Sequence, residues 1–370
     1  MAGDLTGDPP AGADGAGAEA PVKPLNFWSA EDTTPSAIEA GLRQMLAQQH
    51  AEDSDLVPAR VLNLIAVVDR EWRGEIENRL ENVGRYHPSR TIICAVNEKQ
   101  TTLDAWATMM VQDPQSGLTL CHEQIELTVG AKHLPHLDTI CDPLVVSDIP
   151  TVVWSPHGHD EAVDSLVHIA QVVLTDSVDA ADEREVLSRA LELKENAYVV
   201  DLAWLRSTPW RERLASTFDP PKARPALFEI DAVTVRHHPV SSVPALLYVG
   251  WLASRLGWEP AALAGHNGVL HGKLHTKRHD IEVHLEPTNM SVPGLGGVTV
   301  RTASGLELSL DRGSGGLTLK RRRRNGSEQQ WTVMGASRGE AGILGEGVRQ
   351  ALLRDPTYTP ALAAARALVG

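Results

Sequence analysis

A chain of 370 residues, 42% hydrophobic and 22% charged, has the balance of a folded globular protein and the length of about two domains. Lys and Arg total 34 against 48 Asp and Glu, and the formal charge of −14 speaks against nucleic acid or an anionic membrane as a partner held by a concentrated positive field. Three cysteines, Cys94, Cys121 and Cys141, offer no CxxC metal or redox pair and no disulfide framework, so a reduced cytoplasmic setting is expected.

Residues 1–24 are Gly, Ala, Asp and Pro with almost no large apolar side chain and read as a disordered tail. Thr33 or Thr34 before Pro35 opens a helix striped by Ile38, Leu42, Met45 and Leu46. Residues 61–68 form a near-continuous apolar run, the pattern of a strand covered on both faces. Asp69 is placed to cap a helix carrying Trp72, Ile76, Leu80 and Val83, and 91–96 is a second buried strand, completing a βαβ unit. A one-sided strand at 118–129 and a helix at about 134–146 follow. Alternation then continues with strands at 149–154, 172–174, 198–202 and 228–235 and helices at 160–170, 182–196, from 208, and 242–256. From about 265 the pattern becomes short strands with Gly-rich turns (281–286, 297–301, 306–310, 317–321), Asn325-Gly326 as a type I′ hairpin signal, and a helix at 340–353.

The expected fold is α/β: two mixed α/β halves with mostly parallel, helix-covered strands, then a C-terminal antiparallel meander and closing helix. The expected divisions are 25–160, 161–264, 265–356 and a C-terminal segment at 357–370. The most apolar stretch, 243–256, is broken by Pro244, Ser254 and Arg255 and is too short to cross a bilayer. The N-terminus has neither a basic flank nor an apolar signal region, so export is not expected.

No catalytic constellation emerges. Residues 335–339 spell GxSxG, but a nucleophile elbow needs a histidine downstream and the last histidine is His284. His271, His275 and His279 would share one face of a helix, yet Gly265, Gly268 and Gly272 disfavour that helix, and a mobile loop is expected in place of a metal site. No Gly-rich phosphate loop follows a strand and opens a helix, so neither nucleotide nor other cofactor is implied. The basic run 320–324 reads as a solvated hairpin arm or as a patch for an acidic partner. His157 and His159 follow a strand end, where open α/β sheets place ligands; with Arg90 they form a candidate sugar-phosphate site.

Trp and Arg gather at several strand ends: His87 and Arg90 before one strand, Trp154 ending another, and Trp204, Arg206, Trp210 and Arg211 running from a strand into a helix. These are either core plugs or a docking surface, since Trp and Arg dominate interface energetics. Residues 61–69, 87–92, 148–158 and 201–212 together resemble the glucose-6-phosphate dehydrogenase assembly protein family, OpcA, of actinobacteria and cyanobacteria. The resemblance implies a non-catalytic partner of that dehydrogenase which favours its active oligomeric form. It assigns no catalytic residue, and the Trp/Arg cluster is the expected docking surface.

Overall fold

The computed structural model describes residues 23–52, 60–84, 88–112, 120–266, 268–313, 316–334 and 339–370. Residues 23–201 build one eight-stranded sheet. In chain order its strands are β1 (Lys23–Ala30), β2 (Leu62–Asp69), β3 (Ser89–Val96), β4 (Asp104–Gln112), β5 (Leu120–Val129), β6 (Thr151–Trp154), β7 (Val172–Thr175) and β8 (Tyr198–Asp201). In space they run β1-β4-β5-β3-β2-β6-β7-β8. The six strands from β5 to β8 are parallel, while β1 and β4 add an antiparallel margin. Counted among themselves, the parallel strands take the order 3-2-1-4-5-6 of a doubly wound dinucleotide-binding fold. All of β3 and β6, and β2 up to Val68, are buried, because helices cover both faces.

Those helices are α1 (Pro35–Glu52), α2 (Arg73–Gly84), α3 (Leu137–Cys141), α4 (Asp160–Leu166), α5 (Glu183–Leu193), α6 (Leu202–Arg206) and α7 (Thr208–Phe218). Asp69 precedes a single 3-10 turn, Arg70–Trp72, and makes no side-chain cap bond, contrary to its expected capping role. Where a longer helix was expected, 3-10 turns flank α3 on both sides and Pro135 lies within the first. Cys94 on β3 and Cys141 on α3 are buried with their Sγ atoms 3.9 Å apart. The contact with Cys94, together with burial, pushes the Cys141 thiol well above its ordinary pKa.

The second sheet runs β10-β11-β12-β9-β13-β14-β15-β16. Its strands are β9 (Ile230–His237), β10 (Ala264–His266), β11 (Val269–His275), β12 (Asp280–Pro287), β13 (Leu295–Thr302), β14 (Glu307–Gly313), β15 (Gly316–Arg322) and β16 (Glu328–Met334). Pairing is antiparallel except between β9 and β12. Helix α8 (Ser242–Leu256) packs on β9 and β12, and two further helices, α9 (Gly339–Leu353) and α10 (Tyr358–Leu368), close the chain. Helix α10 lies along α8 and also meets α5, while α9 packs on α2 and α6, so one buried apolar cluster runs through both halves. Gly250 permits the close α8–α10 approach, since a Cβ there would lie 2.3 Å from the Ala361 carbonyl oxygen.

Several expectations are corrected. The boundary at 160/161 cuts through the first sheet, because β6, β7 and β8 extend it; the strand and helix at 230–256 belong to the second sheet. Strand β4 was not anticipated, and residues 358–368 are a helix. His271 and His275 lie on strand β11, not on a loop or a helix. At the β15–β16 hairpin only Gly326 has positive φ (78°), so Arg323 to Gly326 form a type I turn with a left-handed glycine and not a type I′ turn. Residues 335–338 of the GxSxG string lie outside the described residues.

Candidate functional site

Strand order reverses between β2 and β6, and in such sheets the crevice opens outside the carboxyl ends of the strands on either side of that point. Here those ends supply Asp69 from β2 and, just beyond β6, His157 and His159, with Gly158 at φ 75° turning the chain between them. The Asp69 backbone N–H donates to His157 Nδ1 at 2.9 Å, so that nitrogen carries the lone pair. His159 Nε2 lies 2.9 Å from Asp69 Oδ1, within ion-pair range but off the N–H axis a hydrogen bond needs. The His157 ring leans on Trp72 with centroids 6.2 Å apart. Burial lowers the His157 pKa, and the Asp69 charge only partly opposes it.

From this point a cleft of about 1170 Å³ extends to the second sheet, with Trp72, His157, Arg206, Trp210, Val292 and Arg312 on its walls. Three of its guanidiniums have acid partners: Arg79 with Glu75, Arg349 with Glu346, and Arg206 with Asp176 through two bonds of 2.7 and 2.8 Å. A dinucleotide site would need a Gly-rich turn after β2, where the pyrophosphate meets backbone amides. This chain has Asp69-Arg70-Glu71-Trp72 there, wound into the 3-10 turn, and so lacks that cradle. Among the described residues, no group of three or more His, Cys, Asp or Glu is placed to hold a metal ion. Among the described residues lining the cleft, the hydroxyl of Thr208 accepts from Arg211 Nη2.

The expected docking cluster is assembled, but inward. Trp204 and Trp210 are buried, and the Arg211 guanidinium lies 3.5 Å above the Trp204 ring. Arg211 donates to Ser207 Oγ, the Trp204 carbonyl and Thr208 Oγ1, and Trp204 Nε1 donates to Asp355 at 2.9 Å. Burial brings the Arg211 pKa down to about 10 against the pull of Asp355. Trp204 and Arg211 thus fasten the α6–α7 corner to Asp355, just before α10. Arg206, in the same string, is partly accessible and faces the cleft. Trp154 is buried within β6, and His87 lies outside the described residues.

Arg90 does not join His157 and His159. It pairs with Asn63 on the parallel β2, six residues before Asp69, which is roughly 20 Å at about 3.3 Å per residue. There its Nε donates to Glu123 Oε2 and its Nη1 to the Leu144 carbonyl, both at 2.8 Å, in a buried network shared with Arg60. Sequence reasoning missed Trp72, which is 47% exposed, as the accessible aromatic of the cleft. It also missed Asp69, whose position at the end of a buried apolar run was the available signal.

Two family models match in succession. The glucose-6-phosphate dehydrogenase subunit N-terminal domain matches residues 81–192, and the C-terminal domain of the same subunit matches 197–362, together well over half of the chain. The chain belongs to the OpcA family of glucose-6-phosphate dehydrogenase assembly proteins. The boundary between these matches precedes β8, so the last strand of the first sheet falls in the C-terminal match.

Among relatives of the OpcA family, OpcA of Synechocystis sp., named for the OxPP cycle, is 29% identical over 196 residues, covering 51% of this chain and 41% of that protein. OpcA of Nostoc punctiforme is 33% identical over 162 residues, covering 43% of this chain and 35% of that one. The chain therefore matches less than half the length of these curated relatives. Among solved structures, the super-repressor mutant of Gal80p from Saccharomyces cerevisiae is similar at a TM-score of 0.49 and 9% identity, over 83% of this chain and 94% of that one.

Proposed function

We propose that this protein is a non-catalytic partner of glucose-6-phosphate dehydrogenase, binding the enzyme in the cytoplasm and favouring its active oligomeric form. The observation that carries this reading is the pair of dehydrogenase-subunit domain matches spanning most of the chain. At the switch point of the doubly wound sheet the turn after β2 is Asp69-Arg70-Glu71-Trp72, which leaves Trp72 exposed on the cleft rim as a residue of the kind that anchors interfaces. No helix among the described residues is long and apolar enough to cross a membrane.

The mechanism follows from linkage. A partner that binds the active oligomer more tightly than the inactive form shifts the population by the ratio of the two affinities. Reciprocity requires anything that stabilises the active form to tighten the complex by the same factor. The docking surface in this reading is the accessible cleft rim, where Trp72 and Arg206 supply residue types that anchor interfaces, while Trp204 and Arg211 hold the corner behind them. The test is the dehydrogenase rate at limiting enzyme concentration with and without this chain. A saturable rise is expected, weakened by Trp72→Ala; an unchanged rate at every ratio overturns the reading.

A further inference from the structure

The inward side of β14 carries Leu308, Leu310 and Arg312 in alternation. The two leucines are buried, whereas Arg312 stands where the row opens into the cleft. Its Nε and Nη2 both donate to the Leu295 carbonyl, at 3.2 and 3.1 Å, which holds the guanidinium plane in place. Among the described residues no carboxylate pairs with it, nor with Arg213 on the same cleft wall, whereas Arg79, Arg206 and Arg349 have acid partners. Partial burial lowers its pKa and no neighbouring acid raises it, as expected of an uncompensated cation.

Beside Arg312 lies a recess of about 20 Å³ whose lining includes Arg206, Ser207, Trp210 and Gly294 and no acidic side chain, Asp176 holding Arg206 from the larger cleft. By the ~10–15 Å³ a water site needs, the recess admits one or two oxygen atoms and not a whole metabolite. It opens at the start of the eleven-residue α7, whose dipole favours an anion there. A terminal oxyanion fits this combination, with the rest of its molecule lying in the larger cleft, whose accessible aromatic is Trp72.

We infer that Arg312 anchors the phosphoryl group of a phosphorylated, ring-bearing metabolite, with Arg206 on the other side of the recess. Arg206 follows the first sheet and Arg312 belongs to the second, so such a ligand ties the two halves together. This site goes beyond the partner role and is assayed without the dehydrogenase, so the two ideas fail independently.

The experiment is thermal unfolding and calorimetric titration of the full chain with glucose 6-phosphate as a hexose phosphomonoester, and with inorganic phosphate as competitor. The wild type is expected to show a saturable rise in melting temperature that phosphate competes away. Arg312→Gln should weaken binding at least tenfold while melting like wild type without ligand, because Gln can still donate to Leu295. Arg312→Lys, which keeps the charge but loses the fork, should bind with intermediate affinity and covers the case of a misfolded Gln variant. The exposed Arg278→Gln should bind like wild type. Absence of a saturable response in the wild type, or wild-type affinity in both Arg312 variants, overturns the site.

Discussion

Glu123 and Asp201 are both carboxylates withdrawn from water, and their surroundings drive them in opposite directions. For Glu123, burial alone would raise the pKa, but the charges and hydrogen bonds of Arg90 and Arg60 outweigh it and the value is lowered. Its contribution to stability is therefore full above the ordinary carboxylate range and is lost as pH falls through the lowered folded value. Glu123→Gln strips the charge from between two guanidiniums and should cost about 3–5 kcal/mol in urea unfolding at neutral pH. For Asp201, burial and then the Asp176 charge raise the pKa to about 6, against hydrogen bonds from Ser177 and Ala203. The folded chain keeps a proton that the unfolded chain has released, so stability falls as pH rises from about 4 to about 6. The loss is on the order of 3 kcal/mol by the value of one pKa unit. Asp201→Asn can still cap Ala203 and should flatten that part of the pH profile. At this scale residue type misled: Trp204, Trp210 and Arg211 have the composition of a docking surface, and nothing local in the sequence tells a guanidinium stacked on a buried indole from one offered to a partner.

The elements most legible in the sequence are those whose environment is uniform. Strands β2, β3 and β6 are covered on both faces, so their apolar runs stand out at strand length. Strand β4 is covered on one face by α1 and mixes Trp106 and Thr108 with Ala105, Ala107 and Met109, and its central position between β1 and β5 depends on pairing that no local pattern encodes. The Asn-Gly pair correctly marks a hairpin, but the loop is one residue longer than a type I′ turn permits, which moves the positive φ to Gly326 alone. The α8–α10 contact gives a prediction of its own. Gly250→Ala would place a methyl group against the Ala361 and Ala365 backbone, which cannot rotate away. The variant should lose about 1–3 kcal/mol in chemical denaturation, as overpacking does, whereas Gly74→Ala, with open space around it and helix all along, should hold or gain stability.

At the level of the whole molecule, alternating strand and helix patterns identify an α/β chain but do not say which sheet a strand joins. The strand at 230–237 follows the same rhythm as its predecessors, yet it is the centre of the second sheet, because pairing with β12 and β13 is settled by contacts far along the chain. The same blindness joined Arg90 to His157 and His159 in one candidate site: all adjoin strands, but at opposite ends of a parallel sheet. Three-dimensional arrangement also produces what the sequence did not display, a cleft between the halves with three acid-paired guanidiniums, the exposed Trp72, and Arg312 held by the Leu295 carbonyl. The family assignment stands beside a doubly wound scaffold that carries Asp69-Arg70-Glu71-Trp72 where a glycine turn would lie, and the association proposed above is the reading to be tested.

The measurement that tests this most directly is the mass distribution of glucose-6-phosphate dehydrogenase by light scattering over a dilution series, with and without this chain at equal concentration. The account predicts that the chain co-migrates with the enzyme and holds it in the larger oligomer at dilutions where the enzyme alone dissociates. Separate elution of the two proteins, with the enzyme's dissociation unchanged, would contradict it.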